Sequence, residues 1–65
     1  MYIAREPNGT LENFSSIAQL VNHYNQTYKG DHEIGVFEGM EDSTGEVLVG
    51  EFIFSFTTEN FGYIS

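Results

Sequence analysis

Two histidines and a group of acidic side chains are the residues of this sequence that could support catalysis or metal binding. His32 lies between Asp31 and Glu33, and all three residue types are ligands of divalent metals. Adjacent residues of a strand point in different directions, so these side chains converge only if the segment forms a turn. His23 is the only other imidazole. We therefore expect no metal site and no cofactor.

The residue patterns of common enzymes are also missing. With no cysteine, thiol chemistry and thiolate zinc sites are excluded. No serine lies in a Gly-x-Ser-x-Gly segment, and no Gly-Lys-Ser/Thr sequence follows the glycines. Glu33 and Glu46 could pair for glycoside hydrolysis, but 65 residues seldom enclose the necessary cleft. Segment 42–46 has oxygen ligands for calcium without the spacing of an EF-hand loop. We expect a non-catalytic protein.

The composition limits the chain to one small acidic domain, residues 1–65. Ten acids against two bases give a net charge of −8, while 40% hydrophobic and 15% aromatic residues are too many for a disordered acidic tail. Arg5 and Lys29 cannot supply a basic patch, so we expect no direct nucleic-acid binding. No apolar run has the length of a signal peptide or a membrane span. We expect no membrane partner and a cytoplasmic location, in the host cytoplasm if a phage encodes the protein.

The spacing of apolar residues predicts an α+β fold. Residues 2–5 and 10–14 are short strand candidates around a turn at 6–9. Ile17, Leu20, Val21, Tyr24 and Tyr28 follow the spacing of one helix face, with Ser15 or Ser16 as N-cap and Gly30 after the last turn. Further strands are predicted at 32–40, 46–57 and 61–64, with a turn at 41–45. The expected order is β-(β)-α-β-β-β, with one amphipathic helix packed on an antiparallel sheet.

Both faces of the central hairpin are predicted to be apolar. If Gly39 pairs with Glu46, Phe37 lies opposite Leu48 and Ile34 lies opposite Glu51. Alternation then gives a phenylalanine face for the helix, made of Phe37, Leu48, Phe52, Phe54 and Phe56. It leaves an aliphatic face made of Ile34, Val36, Val47, Val49 and Ile53. A bulge at Gly35 or Gly50 could return all these groups to one face; otherwise a homodimer or another protein covers the aliphatic face.

Seven of the ten acids lie between residues 31 and 51, and the predicted helix contains none. Carboxylates two residues apart on a strand are roughly 6.6 Å apart and neighbouring strands are about 4.8 Å apart. A hairpin can therefore present negative charge at a density comparable to a nucleic-acid backbone. The other interpretation is a solvated surface that discourages aggregation at a sheet edge. The predicted partner contacts are Glu33, Glu38, Glu41, Asp42, Glu46 and Glu51.

In size, acidity and absence of catalytic residues, the chain resembles the small inhibitors that bacteriophages and mobile elements encode against host nucleases, restriction enzymes, CRISPR effectors and polymerases. This resemblance is one of composition and includes no diagnostic motif. It implies a non-catalytic module that occupies a basic, nucleic-acid-binding protein surface by charge mimicry. The alternative is a small homo-oligomeric structural or assembly protein that uses the aliphatic face.

Overall fold

The chain folds as one helix on a four-stranded antiparallel sheet in a computed structural model that describes residues 1–28 and 30–58. Its elements are β1 (Tyr2–Arg5), β2 (Leu11–Phe14), α1 (Ile17–Thr27), β3 (Glu33–Glu41) and β4 (Val47–Thr57). The strand order in the sheet is β2-β1-β3-β4, and every neighbouring pair is antiparallel. The predicted α+β class, the single helix and the first four strands are confirmed. The predicted strand at 61–64 lies outside the described residues.

Helix α1 begins after a serine cap, as predicted. Ser16 has an extended backbone, and its hydroxyl oxygen accepts a hydrogen bond from the Gln19 N–H at 3.1 Å. The Gln19 side chain accepts a hydrogen bond from the Ser15 hydroxyl at 3.2 Å. The predicted apolar face of the helix is confirmed, because Leu20 and Tyr24 are fully buried.

The core lies between α1 and one face of the sheet, which we call the helix face. Ala4, Ile34 and Val36 supply buried strand residues to this core, and Phe54 and Phe56 pack against it. The cross-strand pairs Ala4–Val36, Val36–Phe54 and Ile34–Phe56 explain this arrangement, because directly paired residues point to the same face. The opposite side of the sheet, against which no helix of the described residues packs, we call the open face.

Two polar contacts tie the layers together. The Tyr24 and Tyr28 hydroxyls donate hydrogen bonds to the Glu6 carboxylate at 2.8 and 3.2 Å, which fixes the turn after β1 against the helix. The buried Thr58 hydroxyl donates to the Gly30 carbonyl at 2.6 Å and accepts from the His32 N–H at 3.1 Å. The end of β4 is thereby fixed to the loop that precedes β3.

The register of the β3–β4 hairpin differs from the predicted one. Gly39 pairs with Val49 rather than with Glu46, and Phe37 pairs with Phe52 rather than with Leu48. Ile34 likewise pairs with Phe56 and not with Glu51. The first reason is the position of the loop, which is centred later in the chain than predicted: the Asp42 N–H donates to the Glu46 carbonyl, and the last strand pair is Glu41–Val47.

The second reason is that β4 contains two extra residues. Val36 pairs with Phe54 and the next residue, Phe37, pairs with Phe52, which leaves Ile53 unmatched. Between the pairs Phe37–Phe52 and Gly39–Val49, the single residue Glu38 faces both Gly50 and Glu51. A bulge at Gly50 was one of the two predicted positions, whereas Gly35 pairs regularly with Ser55.

These irregularities redistribute the apolar side chains, and the predicted division into a phenylalanine face and an aliphatic face is wrong. An extra residue reverses the alternation of a strand, so Phe54 and Phe56 share the helix face with Ile34 and Val36. Phe37 and Phe52 lie together on the open face. Because Ile34 and Val36 are fully buried under the helix, neither is available to the predicted oligomer surface. The other members of that predicted surface, Val47, Val49 and Ile53, are half-exposed or exposed.

Candidate protein-interaction surfaces

The end of the β3–β4 hairpin extends past the rest of the sheet. Strand β1 pairs with β3 from Gly35 to Glu38, and one further hydrogen bond joins the Gly39 N–H to the Met1 carbonyl. Beyond this point the ladder continues between β3 and β4 alone, within the described chain. We call residues 40–48 the acidic arm, because Glu41, Asp42 and Glu46 lie at its tip.

The tip of the acidic arm is closed by Asp42. One of its carboxylate oxygens accepts hydrogen bonds from the Thr44 hydroxyl at 2.7 Å and from the N–H groups of Thr44 and Glu46, both at 2.9 Å. Gly45 completes the loop with a φ of +85°, a conformation that favours glycine. The Thr44 hydroxyl, followed by the Glu46 and Thr44 N–H groups, lowers the pKa of Asp42. Asp42 is therefore ionised at neutral pH and its first role is to shape the turn.

The six predicted contact acids are all exposed, but they do not share one face. Glu41, Asp42 and Glu46 are together at the tip, and Glu38 lies opposite Glu51 at the base of the arm. Glu33 is on the far side of the molecule, eight residues along β3 from Glu41, or about 26 Å in an extended strand. Its carboxylate accepts a hydrogen bond from the Ser55 hydroxyl at 3.3 Å.

The arm also exposes two apolar side chains that are not among the predicted contacts. Met40 and Leu48 are directly paired and are 55% and 47% exposed. Met40 follows Ile34 and Val36 at the two-residue period of the helix face, but it lies beyond the end of the β1–β3 ladder. The sequence signal for this exposed pair was the apolar two-residue period, which continues along β3 past the point where the shorter strand β1 ends. The acids at the tip thus flank an apolar pair.

A second surface occupies the open face around three stacked side chains. The Arg5 guanidinium lies 5.0 Å from the centre of the Phe37 ring, and Phe37 meets Phe52 edge to face at 5.4 Å. Arg5 is the only Lys or Arg side chain in the described ranges, and within them it makes no ion pair. This group of contacts cannot be read from the sequence, because the pairing of Phe37 with Phe52 depends on the bulge at Ile53.

A shallow cavity of about 480 Å³ opens on the same face beside Phe52. Gly35 contributes no side chain to it, and the neighbouring pair partners Arg5 and Ser55 line its sides. Glu33 and the turn residues Glu6 and Pro7 complete the lining. The lining residues therefore include one arginine, one phenylalanine and two glutamates, and the Glu6 carboxylate is already bound to Tyr24 and Tyr28.

The described residues contain no group of three or more histidine, cysteine or acidic side chains arranged to hold a metal. His32 packs against the Tyr28 ring at 4.8 Å instead of approaching a ligand set. No helix in the described part of the chain has the length and apolarity needed to cross a membrane. Comparison with protein-family models, curated proteins and solved structures finds no significant match to this chain. The fold defines the protein as a small α+β domain.

Proposed function

We propose that this chain is a non-catalytic protein-binding module whose acidic arm engages a basic protein surface. The surface that fits best is the nucleic-acid-binding groove of a nuclease, restriction enzyme, CRISPR effector or polymerase, which the arm would block by charge mimicry. The observation that carries this proposal is the projecting ladder with Glu41, Asp42 and Glu46 at its tip. The described cationic side chain, Arg5, lies on the open face of the sheet and not on the arm.

The paired side chains of Met40 and Leu48 support the same proposal. Charge attracts and orients a partner, but affinity also requires desolvated apolar contacts. The arm supplies both in one hairpin, since its acidic tip lies next to this exposed apolar pair. Its two strands are about 4.8 Å apart, so the arm is a narrow ribbon that can enter a groove in a protein surface.

The test begins with affinity capture from a bacterial lysate, followed by binding measurements on the purified enzyme that is captured. Binding should fall steeply between about 0.05 M and 0.5 M salt, because the contact is between opposite charges. The double variant Glu41→Gln/Glu46→Gln should weaken binding about tenfold, which corresponds to about 1.4 kcal/mol. Asp42 is left unchanged because its carboxylate closes the turn.

The matched control is Glu12→Gln/Asp31→Asn, which removes the same number of charges from exposed positions off the arm. It should change affinity by less than about twofold. Binding that is independent of salt, or equal losses in the two double variants, would contradict the arm as the contact.

A further inference from the structure

The open face of the sheet has an apolar centre that no part of the described chain covers. Phe52 is 58% exposed there, and Val49, Leu11 and Met1 are each close to half exposed. They surround Ile3, which is buried, and Phe37, which is half-buried. In a two-layer fold of this size the single helix protects one face only, so this second face is available to a partner.

The open face carries an exposed aromatic side chain next to a cavity. Phe52 projects from β4 at the rim of the 480 Å³ cavity, which Gly35 and its pair partners Arg5 and Ser55 also line. A two-fold contact brings the same patch of each copy together. The projecting Phe52 of one copy can then meet the cavity of the other copy. In a two-fold contact between open faces, Phe52 of each copy would therefore lie in the cavity of the other copy.

The charges of this face also favour a second copy. The molecule carries a net charge of −8, which opposes association through most of its surface. On the open face, however, Arg5 lies without an ion pair among the described residues, and Glu33 lies on the other wall of the same cavity. This patch therefore contains a positive and a negative side chain, whereas the charged side chains at the tip of the acidic arm are all carboxylates.

We propose that two copies of this chain associate face to face through the open faces of their sheets, with Phe52 of each copy in the Arg5–Gly35–Ser55 cavity of the other. Pairing through the free edge of β4 is the competing arrangement. The extra residues at Ile53 and at Gly50–Glu51 interrupt that edge, and such irregularities disfavour a continuous ladder with another strand. The proposal does not depend on the acidic arm.

Sedimentation equilibrium of the full chain, from about 5 to 500 μM, tests it. The wild type should approach twice the mass of the 7.3 kDa chain, and added salt should leave the association unchanged or strengthen it. Phe52→Lys should weaken self-association at least tenfold. The matched control Met40→Lys changes an equally exposed apolar residue on the arm and should leave self-association unaffected.

A second variant guards against loss of folding in Phe52→Lys. Ser55→Tyr fills the cavity from an exposed position and should also prevent association while the melting temperature is preserved. A wild type that remains monomeric throughout the range, or a Met40→Lys variant that dissociates as readily as Phe52→Lys, would overturn the proposal. Glu41→Gln/Glu46→Gln should not weaken the dimer, which separates this test from that of the arm.

Discussion

At the scale of single residues, the Tyr24 phenol is a buried polar group with a specific charged partner. Its ring is fully buried in the core, and its hydroxyl donates to the Glu6 carboxylate, which also accepts from Tyr28. Burial, then the hydrogen bond and the negative charge of Glu6, raise the pKa of Tyr24 above the usual value of 10.0. The pKa of Tyr28 is raised for the same reasons.

This shift predicts how stability depends on alkaline pH. The folded state holds the Tyr24 proton more tightly than the unfolded state, so the stabilisation is fully present below pH 10 and is lost as pH rises through the raised pKa. Glu6→Gln keeps a hydrogen-bond acceptor but removes the charge, and should lower the pKa of Tyr24 without restoring the usual value, because burial remains. Urea denaturation at a series of alkaline pH values measures the loss of stability, and titration of the Tyr24 ring resonances by NMR measures the change in pKa. An unchanged Tyr24 titration in Glu6→Gln would show that the carboxylate has no influence.

At the scale of elements, the close approach of β1 to β3 depends on Gly39. A Cβ atom at this position would lie 2.6 Å from the Cγ atom of Met1 and 3.1 Å from its carbonyl oxygen. Gly39 also donates its N–H to that carbonyl at 2.9 Å, so the strands cannot separate without losing a hydrogen bond.

Gly39→Ala should therefore lower the free energy of unfolding by about 1–3 kcal/mol, measured by urea denaturation. Gly35→Ala is the comparison, since its added Cβ would meet the edge of the Phe37 ring at 3.3 Å and no closer atom. Gly35→Ala should lower the free energy of unfolding by less than Gly39→Ala does. The reverse order would mean that the Met1 segment moves aside freely.

Local patterns in the sequence predicted the elements well and the pairing between them poorly. The helix was identifiable because Leu20 and Tyr24 lie on one face at helical spacing, and because Ser16 has the chemistry of a cap. The strand pairing was not, because the hydrogen bonds of Asp42 and the extra residue Ile53 set it, and alternation alone reveals neither. The exposure of the hairpin acids could be predicted from their charge. Which face of the sheet each acid lies on could not be predicted without the register of the strands.

At the scale of the whole molecule, negative charges greatly outnumber positive charges. Eight net negative charges on 65 residues repel each other, and three of the carboxylates at the hairpin tip lie within a few residues of one another. Screening this repulsion should stabilise the fold, unlike the binding of a basic partner, which screening weakens.

We expect the melting temperature to rise by about 2–4 °C between about 0.02 M and 0.5 M sodium chloride, for a gain of roughly 0.5 kcal/mol. Glu41→Gln/Glu46→Gln should raise the melting temperature at low salt and reduce its dependence on salt, because part of the repulsion is already gone. Calorimetry at low protein concentration measures both. A melting temperature that falls with salt would mean that attractive ion pairs dominate.

The contact of Glu6 with Tyr24 and Tyr28 has a consequence for how the molecule opens. It joins the first hairpin to the helix, while the acidic arm has only its own two strands to hold it. Backbone amides of β1 and α1 should therefore exchange with solvent deuterium through one shared, high-energy opening. Amides at the tip, around Thr44 and Glu46, should exchange through local fraying at a much lower free energy. The arm can thus adjust to a bound surface while the rest of the domain stays folded.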